Sequence, residues 1–297
     1  MADLKKRRAS LVNGILGHDA APRNVVLSGM AELEKTLDQH FRKLQKQRAQ
    51  RARSSAPLRN KLLKVLGRDP AQAELIRNLR GSRKRPSRHV APPRAVQQKE
   101  RVFLGSLGGT RTAPFDYPWT WKATSGSPTV ITKAALNPGF MGLSIDTGDD
   151  SASASARAAV GIYFSSPIDC VSNFRFWARP TLAFDWQEYC SLDSADSDGF
   201  IGLYAASYDW AGNPTGTLVD QMISLWSNKS WWNDASGGGS NKGFSLSADF
   251  EVDSDHWYAL WVWCGMDDSG DGFGIFSGSS ASSELSVWLP AISWEVG

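Results

Sequence analysis

The sequence predicts a mainly β protein: a C-terminal antiparallel β-sandwich, jelly-roll-like, preceded by a basic, partly helical N-terminal arm. Three observations carry this expectation. All thirteen tryptophans lie after Glu100. Twenty-five of the thirty-three Lys and Arg lie at or before Arg101. Beyond residue 102, short apolar runs alternate with clusters of Gly, Ser, Asp, Asn and Pro, and no long helical period appears. Residues 1–101 carry 25 basic and 8 acidic side chains, a net of +17, whereas residues 102–297 carry 8 and 22, a net of −14. The formal +3 of the chain is the near-cancellation of two opposite polymers. The expected organisation is a basic helical arm or docking region over 1–80, a Pro/Arg-rich linker over 81–101 and a Trp-rich acidic sandwich over 102–297.

The arm has a single aromatic residue, Phe41, and too little apolar area for a core of its own. From Val26 to Leu44 the apolar positions Val26, Met30, Leu33, Leu37 and Leu44, with His40 between the last two, are spaced 4, 3, 4, 3, 4. That is a heptad seam on good helix formers, with Ser28 placed to cap it. A helix this short is marginal alone, so the 26–44 helix is expected to self-associate or dock on a protein partner rather than pack on its own neighbours. The run continues as Gln45–Arg53 with no regular acidic partners. Arg48, Arg51, Arg53, Arg59, Arg83, Lys84, Arg85 and Arg88 are candidates for contact with nucleic acid or another polyanion, against the plainer reading of a solvated face. Two short helices are expected next. Pro57–Leu66 is ended by Gly67. Asp69-Pro70 restarts a helix with Gln72 at the capping-box site, ended by Gly81. Arg83–Arg94 mixes proline with charge and should be extended.

In the body the expected strands are Val102–Leu104, Thr129–Lys133, Gly142–Asp146, Ser155–Ser165, Asn173–Ala178, Gly199–Tyr208, Leu218–Trp226, Gly243–Glu251, Trp257–Gly265 and Ser283–Val296. Ala159-Val-Gly-Ile-Tyr-Phe164 and Trp257–Cys264 place apolar side chains on both faces and should be central. Ala248–Val252 alternates and should have one wet face. Ser151–Ala156 should put alanines on one face and serines on the other. Ser230–Lys242, rich in glycine, reads as a long loop.

The aromatic load is the first functional signal. Trp177, Trp261, Trp263, Trp288 and Trp294 fall within strands and read as core. Trp119, Trp121, Trp186, Trp210, Trp231 and Trp232 stand among loop-forming residues and are the candidate ligand platforms. Asp196-Ser-Asp198-Gly and Asp267-Asp-Ser-Gly-Asp271-Gly match the first half of a calcium loop, but Ala205 and Gly278 stand where a bidentate Glu belongs. Calcium is therefore the one cofactor considered, against plain Asp-Gly turns. Glu251, Asp253 and Asp255 set alternating carboxylates on a strand, in the manner of a glycoside hydrolase's acid and nucleophile. His256 is the only histidine of the body, which leaves no multi-His metal centre or ready triad there. Cys170, Cys190 and Cys264 form no C-x-x-C pair; Cys170 with Cys190 is a candidate bridge, against buried free thiols.

No secretory signal, membrane span or family motif is present, so the chain is expected to be cytoplasmic or released by another route. Three functions compete. The first is a non-enzymatic binding or adhesion protein, its sandwich recognising a glycan, surface or protein ligand and its arm docked to an assembly or polyanion. The second is a capsid-like shell subunit with a nucleic-acid-binding arm. The third is a sandwich glycoside hydrolase.

Overall fold

A computed structural model describes residues 23–66, 71, 107–148, 152–166, 171–191, 194–231, 233–241, 244–270 and 278–296. Among the described residues, the helix α1 (Arg23–Leu66) precedes fourteen strands: β1 (Leu107–Thr112), β2 (Tyr117–Ser125), β3 (Thr129–Ala135), β4 (Phe140–Asp146), β5 (Ala152–Ser165), β6 (Ser172–Ala178), β7 (Thr181–Ser191), β8 (Ser194–Tyr208), β9 (Pro214–Trp231), β10 (Ala235–Asn241), β11 (Leu246–Val252), β12 (Trp257–Gly270), β13 (Gly278–Trp288) and β14 (Ala291–Val296). The expected mainly β architecture is present: three antiparallel sheets in a sandwich arrangement behind an N-terminal helix.

Two five-stranded sheets have the orders β2-β5-β12-β8-β9 and β3-β4-β13-β7-β10. Read side by side, each strand of one sheet corresponds to its chain neighbour in the other: β2 with β3, β5 with β4, β12 with β13, β8 with β7, β9 with β10. The chain thus rolls between the two layers, as jelly-roll connectivity requires. A third sheet, β1-β14-β6-β11, adds Phe174, Phe176, Phe250 and Trp294 to the same core. The core between layers is set by alternation. Tyr258, Leu260, Val262, Cys264 and Met266 of β12 face inward onto Met141, Leu143 and Ile145 of β4 and Leu285 and Val287 of β13. Ala154, Ala156 and Ala158 of β5 join them, with Ser155 on the opposite side. The small alanines let the layers approach closely there.

Several boundaries differ from expectation. α1 runs unbroken to Leu66 with Pro57 inside it, so the Gln45–Arg53 run and the Pro57–Leu66 helix are one element. Ser230–Lys242 contains an edge strand, β10, because Gly237 and Gly239 leave room for the rings of Trp186 and Phe184 on β7. Steric allowance, absent from propensity, makes the glycines a strand. β2 and β7 do alternate, with Tyr117, Trp119 and Trp121 and with Leu182, Phe184 and Trp186 each on one parity, but Pro118 and the polar Asp185, Gln187 and Glu188 masked the pattern. Ser283–Val296 is two strands, broken at Leu289-Pro290. The Val102–Leu104 strand, the helix expected over 69–81 apart from Ala71, and the 81–101 linker lie outside the described residues.

The apolar seam of α1 does not wait for a partner. Val25, Val26, Leu33 and Leu37 are buried on the outer face of the β2-β5-β12-β8-β9 sheet, against Trp119, Tyr163, Phe200, Tyr204, Tyr208 and the three tryptophans of β12. Gly29 lets the helix touch down, since a side chain there would overlap the Tyr163 hydroxyl. That hydroxyl donates to the Val26 carbonyl at 3.2 Å, and His40 Nε2 lies 3.1 Å from Asp220 Oδ2. The expectation of self-association or docking through 26–44 is therefore corrected: the same periodicity serves an intramolecular contact. A heptad stripe specifies an apolar face, not what covers it.

Candidate functional site

The sheet face under α1 collects tryptophans that sequence assigned to loops. Trp119 is in β2 and buried under the helix; Trp121, half-buried, meets Phe41 edge-on at 5.8 Å. Trp186 points into the sandwich over Gly237. These three are packing residues, not free platforms, because β2 and β7 are strands with one face buried. Trp210 differs: it sits in the β8–β9 turn, 56 % exposed, edge-on to Trp257 at 5.7 Å. Trp231 ends β9, pairing by backbone with Ser194, and Trp232 lies outside the described residues.

The solvent face of the other five-stranded sheet is built differently. Inward residues of β4 and β13 are aliphatic, so the opposite parity looks outward: Phe140, Gly142, Ser144 and Asp146 on β4; Ser282, Glu284, Ser286 and Trp288 on β13. Register aligns them in rows. Trp288 lies opposite Phe140, with ring centroids 5.1 Å apart. The next row is Ser286 and Gly142, the next Glu284 and Ser144. On the far side of β13, Asp185 lies opposite Glu284, and Gln187 opposite Ser282. The Phe140 ring lies over Gly142, where a Cβ would come within 2.7 Å of it. Lys133 places its Nζ 5.8 Å from the same ring, and the Tyr189 hydroxyl donates to Gln187 Oε1 at 3.0 Å. The result is a floor of Ser and Gly, an aromatic pair at one end, and carboxylate and amide groups beside it.

Sequence reasoning missed Phe140, Asp185, Gln187 and Glu284, and assigned Trp288 to the core. A signal existed. In Ser282–Trp288 the apolar parity is Leu285 and Val287, so Trp288 stands on the polar parity. In Phe140–Asp146 the apolar parity is Met141, Leu143 and Ile145, and Phe140 stands off it.

The calcium candidates are corrected. Asp196 and Asp198 lie in β8 and Asp267 in β12, with Asp198 paired to Asp267 across the sheet, so neither half-motif is a loop. Asp267 accepts from Arg157 Nη2 at 2.8 Å and Ser155 Oγ at 2.5 Å, and Asp196 lies 3.6 Å from Lys229 Nζ. An arginine and a lysine occupy the charge a cation would need. Asp271 lies outside the described residues; among those described, no group of three or more His, Cys, Asp or Glu could hold a metal. The hydrolase constellation is also recast. Asp253 Oδ1 is engaged by His256 Nδ1 at 2.7 Å, the Asp255 amide at 2.9 Å and the Tyr258 hydroxyl at 3.1 Å. Partial burial acts to raise its pKa, but these hydrogen bonds outweigh burial and hold it below the ordinary value. A general acid needs the opposite shift. Cys190 and Cys264 are buried free thiols, both pushed up to about 12 by burial; Cys170 lies outside the described residues.

Of the polyanion candidates, Arg53 is exposed on α1. Arg48, Arg51 and Arg59 also lie on α1, with side chains outside the described set, and Arg83, Lys84, Arg85 and Arg88 lie beyond the described residues. Among the described residues no helix is long and apolar enough to cross a membrane.

One buried carboxylate makes a pH-dependent contribution. Glu188 faces between the layers, fully buried, and accepts from Asn228 Nδ2 at 2.6 Å through Oε2, while Oε1 has no hydrogen-bond partner. Burial raises its pKa from 4.5 to about 6, only partly offset by hydrogen bonds from Ser230 and Asn228. The folded state therefore binds this proton more tightly than the unfolded chain. Its stabilisation is full below about pH 4.5 and is lost as pH rises through about 6. Glu188→Gln is expected to stabilise the protein above pH 6 by about 2 kcal/mol, with little effect at pH 4. Urea midpoints at the two pH values check this; equal effects at both would refute it.

No protein-family model matches the sequence, and no curated protein matches it. Among solved structures, the enzymatically active domain of bacteriophage CBA120 tailspike protein 4 is similar at 14 % identity and TM-score 0.23, over 61 % of this chain and 19 % of that one. An Arthrobacter globiformis isomalto-dextranase complexed with panose is similar at 11 % identity and TM-score 0.18, over 61 % and 23 %. The chain thus spans about a fifth of these two proteins. The CBM22-1 xylan-binding domain of Paenibacillus barcinonensis Xyn10C is similar at 11 % and 0.16, over 57 % and 85 %. Panose and xylan are ligands of those proteins.

Proposed function

We propose that this is a non-catalytic binding protein whose sandwich recognises a carbohydrate on the open face of the β3-β4-β13-β7-β10 sheet. One observation carries the reading: the Phe140–Trp288 pair stands on the solvent side of a sheet, beside Asp185, Glu284 and Gln187. A sugar ring offers an apolar face of C–H groups and a rim of hydroxyls. Aromatic rings take the first, and carboxylates and amides take the second. The small Ser144, Ser282 and Ser286 beside the pair let a ring approach the sheet.

Native gels cast with soluble polysaccharides, followed by calorimetry on the best of them, test this. Trp288→Ala and Phe140→Ala are each expected to weaken binding about tenfold or more. Both sites are on the surface, so the thermal midpoint should stay within a few degrees. Binding unchanged in both variants, or no retardation of the wild-type protein by any polysaccharide, would sink the proposal.

A further inference from the structure

The geometry points to a second carbohydrate-binding face, the aromatic trench of the β2-β5-β12-β8-β9 sheet, which α1 covers and a polysaccharide chain uncovers. The helix fits this trench in shape but not in chemistry. Beneath it, the indole N–H groups of Trp257 and Trp263 and the hydroxyl of Tyr208 are buried with no hydrogen-bond partner. The Tyr204 hydroxyl has Thr36 and Thr217 beside it and the Trp261 N–H has the Tyr163 hydroxyl, so these two are partly met. Burial raises the pKa of Tyr204 and Tyr208, so their hydroxyls stay neutral donors. Folded proteins rarely leave so many donors of one surface unpaired, because each forfeits its hydration without compensation. The helix residues packed on them, Val25, Val26, Leu33 and Leu37, have no side-chain acceptor to give; the Val26 carbonyl is taken by Tyr163, and Thr36 reaches only Tyr204. A pyranose chain offers both a C–H face for the rings and, where α1 offers only aliphatic side chains, hydroxyl oxygens for the unmet N–H and O–H donors.

A toehold is already in solvent. Trp210 stands exposed at the rim and meets Trp257 edge-on, so the aromatic row begins outside the helix and passes under it. The helix is held at its edges by Asn24 on the Ala211 carbonyl and His40 on Asp220. Forty residues, 67–106, join α1 to β1. A displaced helix therefore stays tethered and re-covers the trench when ligand leaves.

The test uses the full chain carrying Trp288→Ala, so that any binding is independent of the open face. Leu33→Asp with Leu37→Asp loosens the cover; Val26→Ala with Leu37→Ala is a milder version should the first not fold, as judged by near-ultraviolet circular dichroism. Retardation in native gels containing hydroxyethylcellulose, xylan, galactomannan or β-1,3-glucan is expected to rise at least tenfold in apparent affinity over the Trp288→Ala parent. In a Cys170→Ser background, His40→Cys with Asp220→Cys bridged by a short bis-maleimide should fix α1 down and cancel the gain; the buried thiols of Cys190 and Cys264 will not compete. A folded, loosened protein with no gain overturns the proposal. So does a gain that survives the bridge, or dimerisation without retardation, which would assign the trench to a second copy's helix.

Discussion

Arg157→Met is expected to cost about 3–5 kcal/mol of stability, one of the two largest single-residue effects anticipated for this protein. Arg157, in β5, is 2 % exposed and its side chain lies over Gly265 of β12. Its Nη1 donates to the carbonyls of Ala156 and Met266 at 2.9 and 2.7 Å, and its Nη2 donates to Asp267 Oδ2 at 2.8 Å. Asp267 is itself fully buried. Methionine replaces the aliphatic stem but leaves the Asp267 carboxylate without its cation in a place that water does not reach. The cost is dominated by that uncompensated charge, not by lost attraction. Removing both charges, as Arg157→Met with Asp267→Leu, should therefore recover much of the loss. Urea unfolding of the two single variants and the double variant measures the coupling. A single variant with an unchanged midpoint would contradict this account.

Trp261→Ala is the second, expected to cost about 3–5 kcal/mol. Trp261 is fully buried at the centre of β12, lies over Gly161 on β5 and opposite Tyr204 on β8, and meets Tyr163 edge-on at 5.8 Å. Truncation empties the middle of the trench between sheet and helix, and neighbours held in strands can refill it only partly. The sandwich core lies on the other side of the sheet, so the loss should concentrate in the α1 contact. Hydrogen exchange is the discriminating measurement: amides of residues 25–37 should lose protection well before those of β12. Equal loss across both would show that helix and sandwich unfold as one unit.

Much of the architecture was legible. β12 could be read from Trp257–Cys264 because apolar residues on both parities have no explanation except burial on both faces. β11 could be read from Ala248–Val252 because its alternation is clean. The α1 seam was legible too, since a 4-3-4-3 spacing has one geometric meaning. Elements whose strand character comes from a neighbour were not. β10 is a glycine segment held by the rings of Trp186 and Phe184, and nothing in its own residues favours an extended chain. The sites were misread for the same reason. Loop-like neighbours of Trp119, Trp121 and Trp186 suggested exposure, while Trp288 looked like core until its parity within β13 was considered.

By itself the sequence determined the contrast in charge and aromatic content between residues 1–101 and 102–297, the periods of α1, β11 and β12, and the lack of several histidines after residue 101. These are properties of composition and local spacing, and they need no knowledge of what touches what. Only the tertiary structure decided that the apolar stripe of α1 closes over the outer aromatic face of one sheet, that Asp267 meets Arg157 instead of a cation, and that Phe140 and Trp288 share the open face of another. Those outcomes depend on strand order and register, which join residues more than a hundred positions apart. Neither hydropathy nor charge along the chain encodes that pairing.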